Sequence, residues 1–195
     1  MVSGGSDDTR SSIIGAAQSL FARFGFRKTT VDEIAKAAHR TKSSVYRYFR
    51  SKEDIFRTIV EEENQMLRKV IQKVIEAEDD PKAKLRSYVL VRMKILTELS
   101  NFYSALRDEY LERYPFIMKI RESYLSDEVQ LIKEILNSGI ERGVFEIKDV
   151  ELTAFTIAVA LRGLEYPLIK KAGFLENGKG FDSLLDILFY GIVKR

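Results

Sequence analysis

Between Thr29 and Lys52 the chain encodes two short helices joined by a tight turn, and this unit limits what the rest can fold into. Thr30 is followed three residues later by Glu33, the spacing of a capping box, in which hydroxyl and carboxylate each satisfy an amide left bare by the first helical turn. Val31, Ile34, Ala35 and Ala38 then recur three and four apart, so one narrow face is apolar, and the small Ala35 admits a second helix at close range. His39, Arg40 and Thr41 stand where a turn is needed. A new helical pattern starts near Lys42, with Val45 and Phe49 on its inward side.

The outward side of this second helix carries Lys42, Ser43, Tyr46 and Arg47, with Ser44 and Tyr48 at its edges. None is an acid and every polar one donates hydrogen bonds, a face that suits phosphate oxygens and the acceptor-rich base edges of a major groove. Ser51 and Asp54 form a second capping pair. Lys52 stands at the start of the next helix, where free amides, the helix dipole and the ammonium together favour a phosphate.

The distribution of charge points the same way. The chain carries a formal +3, yet Arg23 to Arg57 holds ten Lys or Arg against four acids, while Thr58 to Arg195 holds 21 against 23. Basicity confined to one unit is the footprint of a polyanion partner, with affinity that falls as salt rises because bound phosphates release counterions.

Composition removes most alternatives. No cysteine and a single histidine leave no thiol chemistry and no His–Cys zinc cluster, and no Gly-x-Gly-x-x-Gly phosphate loop occurs, so neither metal nor cofactor is expected. With 45% hydrophobic residues in 195 positions the chain buries a sizeable core. The longest uncharged runs, Ser11 to Ala22 with twelve residues and Leu152 to Leu161 with ten, fall short of the about 20 needed to cross a bilayer. The first residues lack the basic and apolar regions of a secretion signal, so no membrane partner and a cytoplasmic location are expected.

The stretch from Ile13 to Glu53 resembles the N-terminal helix-turn-helix of the TetR family of bacterial transcriptional regulators, through Thr30, the run Asp32 to Ala35, Ala38, Lys42, Val45, Tyr46, Tyr48, Phe49 and Ser51 to Glu53. Two positions depart from the family pattern: His39 stands where glycine is usual, and Arg40 where an apolar residue is usual, which sends its side chain outward as a further phosphate contact. The resemblance implies an all-α chain of about nine helices, with residues 8–54 as the DNA-binding domain and 55–195 as a helical domain for effector binding and dimerisation. By the same resemblance Lys42, Ser43, Ser44, Tyr46, Arg47 and Tyr48 lie in or beside a major groove of double-stranded operator DNA, and Thr30, Thr41 and Lys52 hold phosphates. Arg47 either reads a guanine bidentately or clamps another phosphate. A homodimer would present two such helices to a palindrome, and a small-molecule effector would shift the population away from DNA.

Elsewhere the pattern is helical throughout. Ile14, Ala17, Leu20, Phe21 and Phe24 read as the core face of a first helix that Gly25 stops. From Ser51 a rod of more than twenty residues carries one line through Ile55, Ile59, Met66, Val70 and Val74 and another through Phe56, Val60, Leu67, Ile71 and Ile75. Pro81 opens the next helix, and residues 85 to 142 hold many aromatics among apolar positions. The resemblance implies a ligand pocket here, with Tyr88, Arg92, Tyr103, Tyr110 and Tyr124 as candidate lining, against the alternative that these are ordinary core. Asp149 caps a helix apolar nearly all round, which a second copy of the chain would cover through Ala154, Ala158, Arg162 and Gly163. The resemblance implies that the last helix, from Phe181 to Ile192, adds Leu184 and Leu188 to that interface. Two other readings stand beside this one: a helical enzyme using Glu98, Asp108, Glu109 and Glu112, whose interspersed charges equally suit a solvated face, and a nonspecific architectural DNA binder.

Overall fold

The computed structural model describes residues 4–99, 101, 104–105, 108–170, 185–186 and 189. The fold is all-α. In chain order the described elements are α1 (Gly4–Lys28), α2 (Val31–Ala37), α3 (Lys42–Tyr48), α4 (Lys52–Glu76), α5 (Pro81–Glu98), a 3₁₀ turn (Glu109–Arg113), α6 (Pro115–Glu141) and α7 (Val150–Lys170). Seven α-helices are thus described where about nine were expected, and most of the final one, with Leu184 and Leu188, lies outside the described residues, as does Tyr103.

The chain divides into two compact units, and the division falls inside α4 rather than at its start. The first comprises Met1–Met66 with Leu99–Met118; the second comprises Leu67–Glu98 with Lys119–Arg195. Residues 99–118 therefore belong with the helix-turn-helix, which the expected boundary at 54/55 did not anticipate.

In the first unit, Ile13, Ala17, Phe21, Ile34, Val45, Phe49, Ile55 and Phe56 form a buried core on which α2 and α3 rest. Gly25 ends the regular part of α1 with φ 79° and ψ 159°, a conformation open to glycine and closed to residues with a Cβ. That break corrects one sequence expectation. Phe24 is left 48% exposed beneath the Arg23 guanidinium, and Phe26 takes the core place, within 5.7 Å of Phe21, 4.9 Å of Phe56 and 5.5 Å of Tyr114.

Of the two apolar lines on α4, Phe56–Val60–Leu67–Ile71–Ile75 is buried along its whole length, whereas the other leaves Met66 exposed. The buried line has a gap in sequence between Val60 and Leu67, and Glu63 fills it, 4% exposed. Its Oε1 accepts from Gln18 Nε2 and from Asn101 Nδ2, each at 2.9 Å, and Asn101 also donates to the Gln18 carbonyl at 3.2 Å. A buried carboxylate is tolerated because donors on α1 and on residue 101 replace the water it loses.

The second unit is held by Leu85, Val89 and Met93 of α5, Ile132, Ile135 and Leu136 of α6, and Ala154, Ile157, Ala158 and Leu161 of α7. Asp80 caps α5 through the Ala83 amide at 2.9 Å, and Asp149 caps α7 through the Leu152 amide at 2.9 Å, as its spacing implied. α6 closes in a Schellman motif around Gly143 (φ 69°): the Gly143 amide donates to Ile140 O and that of Val144 to Gly139 O.

Candidate nucleic-acid interface and ligand cavity

The two short helices are set by their ends. Thr30 Oγ1 accepts from the Glu33 amide at 3.3 Å while Glu33 Oε2 accepts from the Thr30 amide at 2.8 Å, the reciprocal capping box that starts α2. The Thr30 hydroxyl also donates to Glu33 Oε2 at 2.8 Å, and this bond, followed by the one from the Thr30 amide, stabilises the ionised Glu33 and holds its carboxyl below its ordinary value. At the other end, the His39 amide donates to Lys36 O at 3.1 Å and that of Arg40 to Ala35 O at 2.8 Å. This is a Schellman closure, which needs a positive φ, and His39 supplies it at 53° in place of glycine. Thr41 then caps α3, its hydroxyl accepting from the Ser44 amide at 3.2 Å and lying 3.0 Å from Ser43 Oγ.

With Val45 fully buried beneath it, α3 turns Lys42, Ser43, Tyr46 and Arg47 to solvent, and Ser44 and Tyr48 are half-buried at the edges. Arg40 is also exposed. Two lysines have partners that the sequence did not reveal. Lys42 Nζ pairs with Asp32 at 2.8 Å on the surface, and that hydrogen bond and charge raise its pKa. Lys52 Nζ donates to the carbonyls of Phe26 and Thr29, both at 2.9 Å, and sits 4.4 Å over the Phe26 ring. It pins α4 to the end of α1 and keeps one ammonium hydrogen for another acceptor.

Within the second unit, α4, α5 and α6 enclose a cavity of about 200 Å³. Leu67, Ile71 and Leu131 form its apolar walls, joined by the rings of Tyr88 and Tyr124, and Glu128 contributes a carboxylate. Arg68 and Asp127, exposed and paired with each other, stand at the open side with Gln72. Of the five candidate lining residues, Tyr88 and Tyr124 line this cavity and Arg92 does not. Arg92, 0% exposed, lies behind the wall: its Nε pairs with Glu128 Oε1, its Nη2 reaches Oε2 at 3.3 Å, and its guanidinium lies 5.9 Å from the Tyr124 ring centroid. Tyr88 Oη donates to the same Oε1 at 2.5 Å. Burial, and then the Glu128 charge, push the Tyr88 phenol well above its ordinary pKa, so it stays a donor. Tyr110 belongs to the first unit, on the 3₁₀ turn, where Arg27 and Arg113 each lie 4.5 Å over its ring.

Sequence reading missed Glu128 as it missed Glu63. Both occupy gaps in otherwise regular apolar lines, Glu128 between Tyr124 and Ile132, and an acid at such a register position is the signal that identifies them.

On α7 the structure corrects the interface residues. Ala154 and Ala158 have no exposed surface in the single chain, because with Ile157 and Leu161 they form the helix's inward face. The face left open carries Leu152 (62% exposed), Phe155 (47%), Val159 (45%) and Gly163, while Arg162 is half-buried with its guanidinium 5.9 Å from the Tyr124 ring. Of the carboxylates of the enzymatic alternative, Glu98, Glu109 and Glu112 are exposed, and Asp108 caps the 3₁₀ turn through the Tyr110 amide at 2.9 Å. Among the described residues no cluster of metal-ligating side chains occurs, and no helix is long and apolar enough to cross a membrane.

Residues 13–59 match the family model for bacterial regulatory proteins, tetR family. Over 159 residues the chain is 26% identical to the HTH-type transcriptional regulator QacR of Staphylococcus aureus, covering 78% of this chain and 81% of that one. Over 141 residues it is 29% identical to the fatty acid metabolism regulator protein of Bacillus subtilis, covering 70% of each. Among solved structures, a transcriptional regulator from Cytophaga hutchinsonii superposes with a TM-score of 0.76 at 27% identity, covering 93% of this chain and 97% of the other.

Proposed function

Because this chain belongs to the TetR family of bacterial transcriptional regulators, we propose that it is a repressor whose α3 reads a palindromic operator, two copies acting as a homodimer, and that a small molecule in the α4–α5–α6 cavity releases it. The observation that carries this reading is the outward face of α3, free of acids and lined with donors, on a helix whose other side is fully buried. A rigid element presenting Lys42, Ser43, Tyr46 and Arg47 loses little entropy on entering a major groove. Ser44 and Tyr48 contact the groove edges. Arg47 is the residue for bidentate recognition of guanine, worth about 1–3 kcal/mol of discrimination.

Thr30, Arg40, Thr41 and Lys52 serve the phosphates. The Thr41 amide and hydroxyl stand at a helix start, and the remaining Lys52 hydrogen supplements backbone amides at the start of α4. Two-fold pairing uses the open stripe of α7, Leu152, Phe155, Val159 and Gly163, since an apolar face of this kind is stable in water when covered. The activity is regulatory rather than catalytic, and its site of action is the cytoplasm, where bacterial DNA lies. Selection of bound duplexes from a random pool tests the reading. An inverted repeat is expected; recovery of no shared sequence would leave only nonspecific binding and refute operator recognition.

A further inference from the structure

The cavity's chemistry restricts what it accepts. It is small: an apolar cavity of about 150 Å³ takes up benzene, so 200 Å³ admits one ring with a short substituent rather than a long chain. Its walls are aliphatic and aromatic, and its formal charges cancel in pairs, Glu128 with Arg92 at depth and Asp127 with Arg68 at the open side. A charged ligand would have to separate one of these pairs or enter unpaired. An uncharged ring meets no such penalty.

The polar wall is also one-sided. Glu128 Oε1 already accepts from both Tyr88 Oη and Arg92 Nε, whereas Oε2 accepts the single long bond from Arg92 Nη2 at 3.3 Å. A carboxylate offers about four lone-pair sites, so Oε2 retains acceptor capacity. Tyr88, the donor beside it, is committed to Oε1. We infer that the cavity binds an uncharged single-ring molecule carrying one hydrogen-bond donor, a phenol in its simplest form, whose hydroxyl donates to Glu128 Oε2 while its ring lies among Leu67, Ile71, Leu131 and the two tyrosines. This rests on the reading of the cavity as an effector site and adds the ligand's chemical class. A donor to a buried carboxylate strengthens binding by about ten- to a hundredfold over the same ring without it.

Titration calorimetry of the full-length protein with 4-propylphenol, propylbenzene and 4-propylbenzoate at neutral pH tests it. The phenol is expected to bind about tenfold or more tighter than propylbenzene, and the benzoate weakest. Equal affinity for phenol and propylbenzene, benzoate as the tightest ligand, or binding of none of the three would overturn the inference; the benzoate result would make Arg68 an anion anchor instead. The single variant Glu128→Gln removes the carboxylate that balances the buried Arg92 guanidinium, so the paired variant Glu128→Gln/Arg92→Met is used. It is expected to keep propylbenzene affinity and lose most of the phenol's advantage, and a phenol preference undiminished in it would also overturn the assignment. The wild-type ranking decides the matter without any variant. Operator affinity measured with and without the phenol separates the two readings: the expected ranking with unchanged operator affinity would sustain the ligand class and refute release by that ligand.

Discussion

Replacing Gly139 by alanine should destabilise the protein although alanine is the better helix former. Gly139 lies in the last turns of α6, and the chain folds back so that the Phe145 ring, 3% exposed, covers it. A Cβ at residue 139 would stand 2.8 Å from Phe145 Cγ, with Cδ2 and Cε2 closer still. Carbon atoms pack at about 3.5–4.0 Å, so the ring must leave. It has little room to shift, because the Phe145 amide donates to Gly139 O at 3.1 Å and the Schellman closure at Gly143 fixes the intervening backbone.

Loss of a buried phenyl ring removes about 3–5 kcal/mol. Helix propensity returns about 1 kcal/mol. The net is a loss of about 2–4 kcal/mol, or a fall in Tm of roughly 4–16 °C for a chain of this size, at fixed protein concentration. Circular dichroism melts of Gly139→Ala, Phe145→Ala and the double variant form a cycle that isolates the clash. In the Phe145→Ala background the second change should be neutral or stabilising. A single Gly139→Ala variant that melts above the wild type would refute the reasoning.

Two further perturbations address the functional reading and a third the stability of the amino-terminal unit. Asp32→Asn frees Lys42 from its surface partner and should raise DNA affinity, steepening the dependence of log K on log salt by roughly 0.9, as measured by fluorescence anisotropy across salt; an unchanged slope would mean that Lys42 meets no phosphate. Phe155→Glu puts a charge in the open stripe of α7 and should yield folded monomers in sedimentation, whereas Ala158→Glu, aimed at the inward face, should unfold the chain; a dimeric Phe155→Glu protein would locate the pairing surface elsewhere. The Asp54 carboxyl, held below its ordinary value mainly by the Arg50 amide, contributes stability that is complete above the unfolded pKa of about 3.9 and is lost as pH falls through the lower folded value. The stability advantage of wild type over Asp54→Asn should accordingly be steady near neutrality and shrink below about pH 4, and an advantage that grew on acidification would contradict the assignment.

Local signals carried the helix-turn-helix. The Thr30–Glu33 box, the spacing of Ile34, Ala35 and Ala38, and the need for a positive φ at His39 act within a few residues, so they are legible in a linear string and reappear as bonds. The same holds for the cap at Asp149 and for the donor face of α3. What a linear string leaves open is which of two apolar stripes on a helix faces inward. Ala154 and Ala158 look like an interface and are core, and Met66 and Phe24 look like core and are exposed, because the choice depends on partners distant in sequence.

Periodicity thus wrote the helices, their ends and the cationic character of the amino-terminal unit into the chain itself. Packing alone determined that Lys52 braces α1 through two carbonyls, that Glu63 and Glu128 are buried, and that Arg92 stands behind the cavity wall rather than in it. The physical reason is desolvation: a buried carboxylate or guanidinium is tolerable where donors or acceptors from other helices replace its water, and those partners lie 36 to 45 residues away.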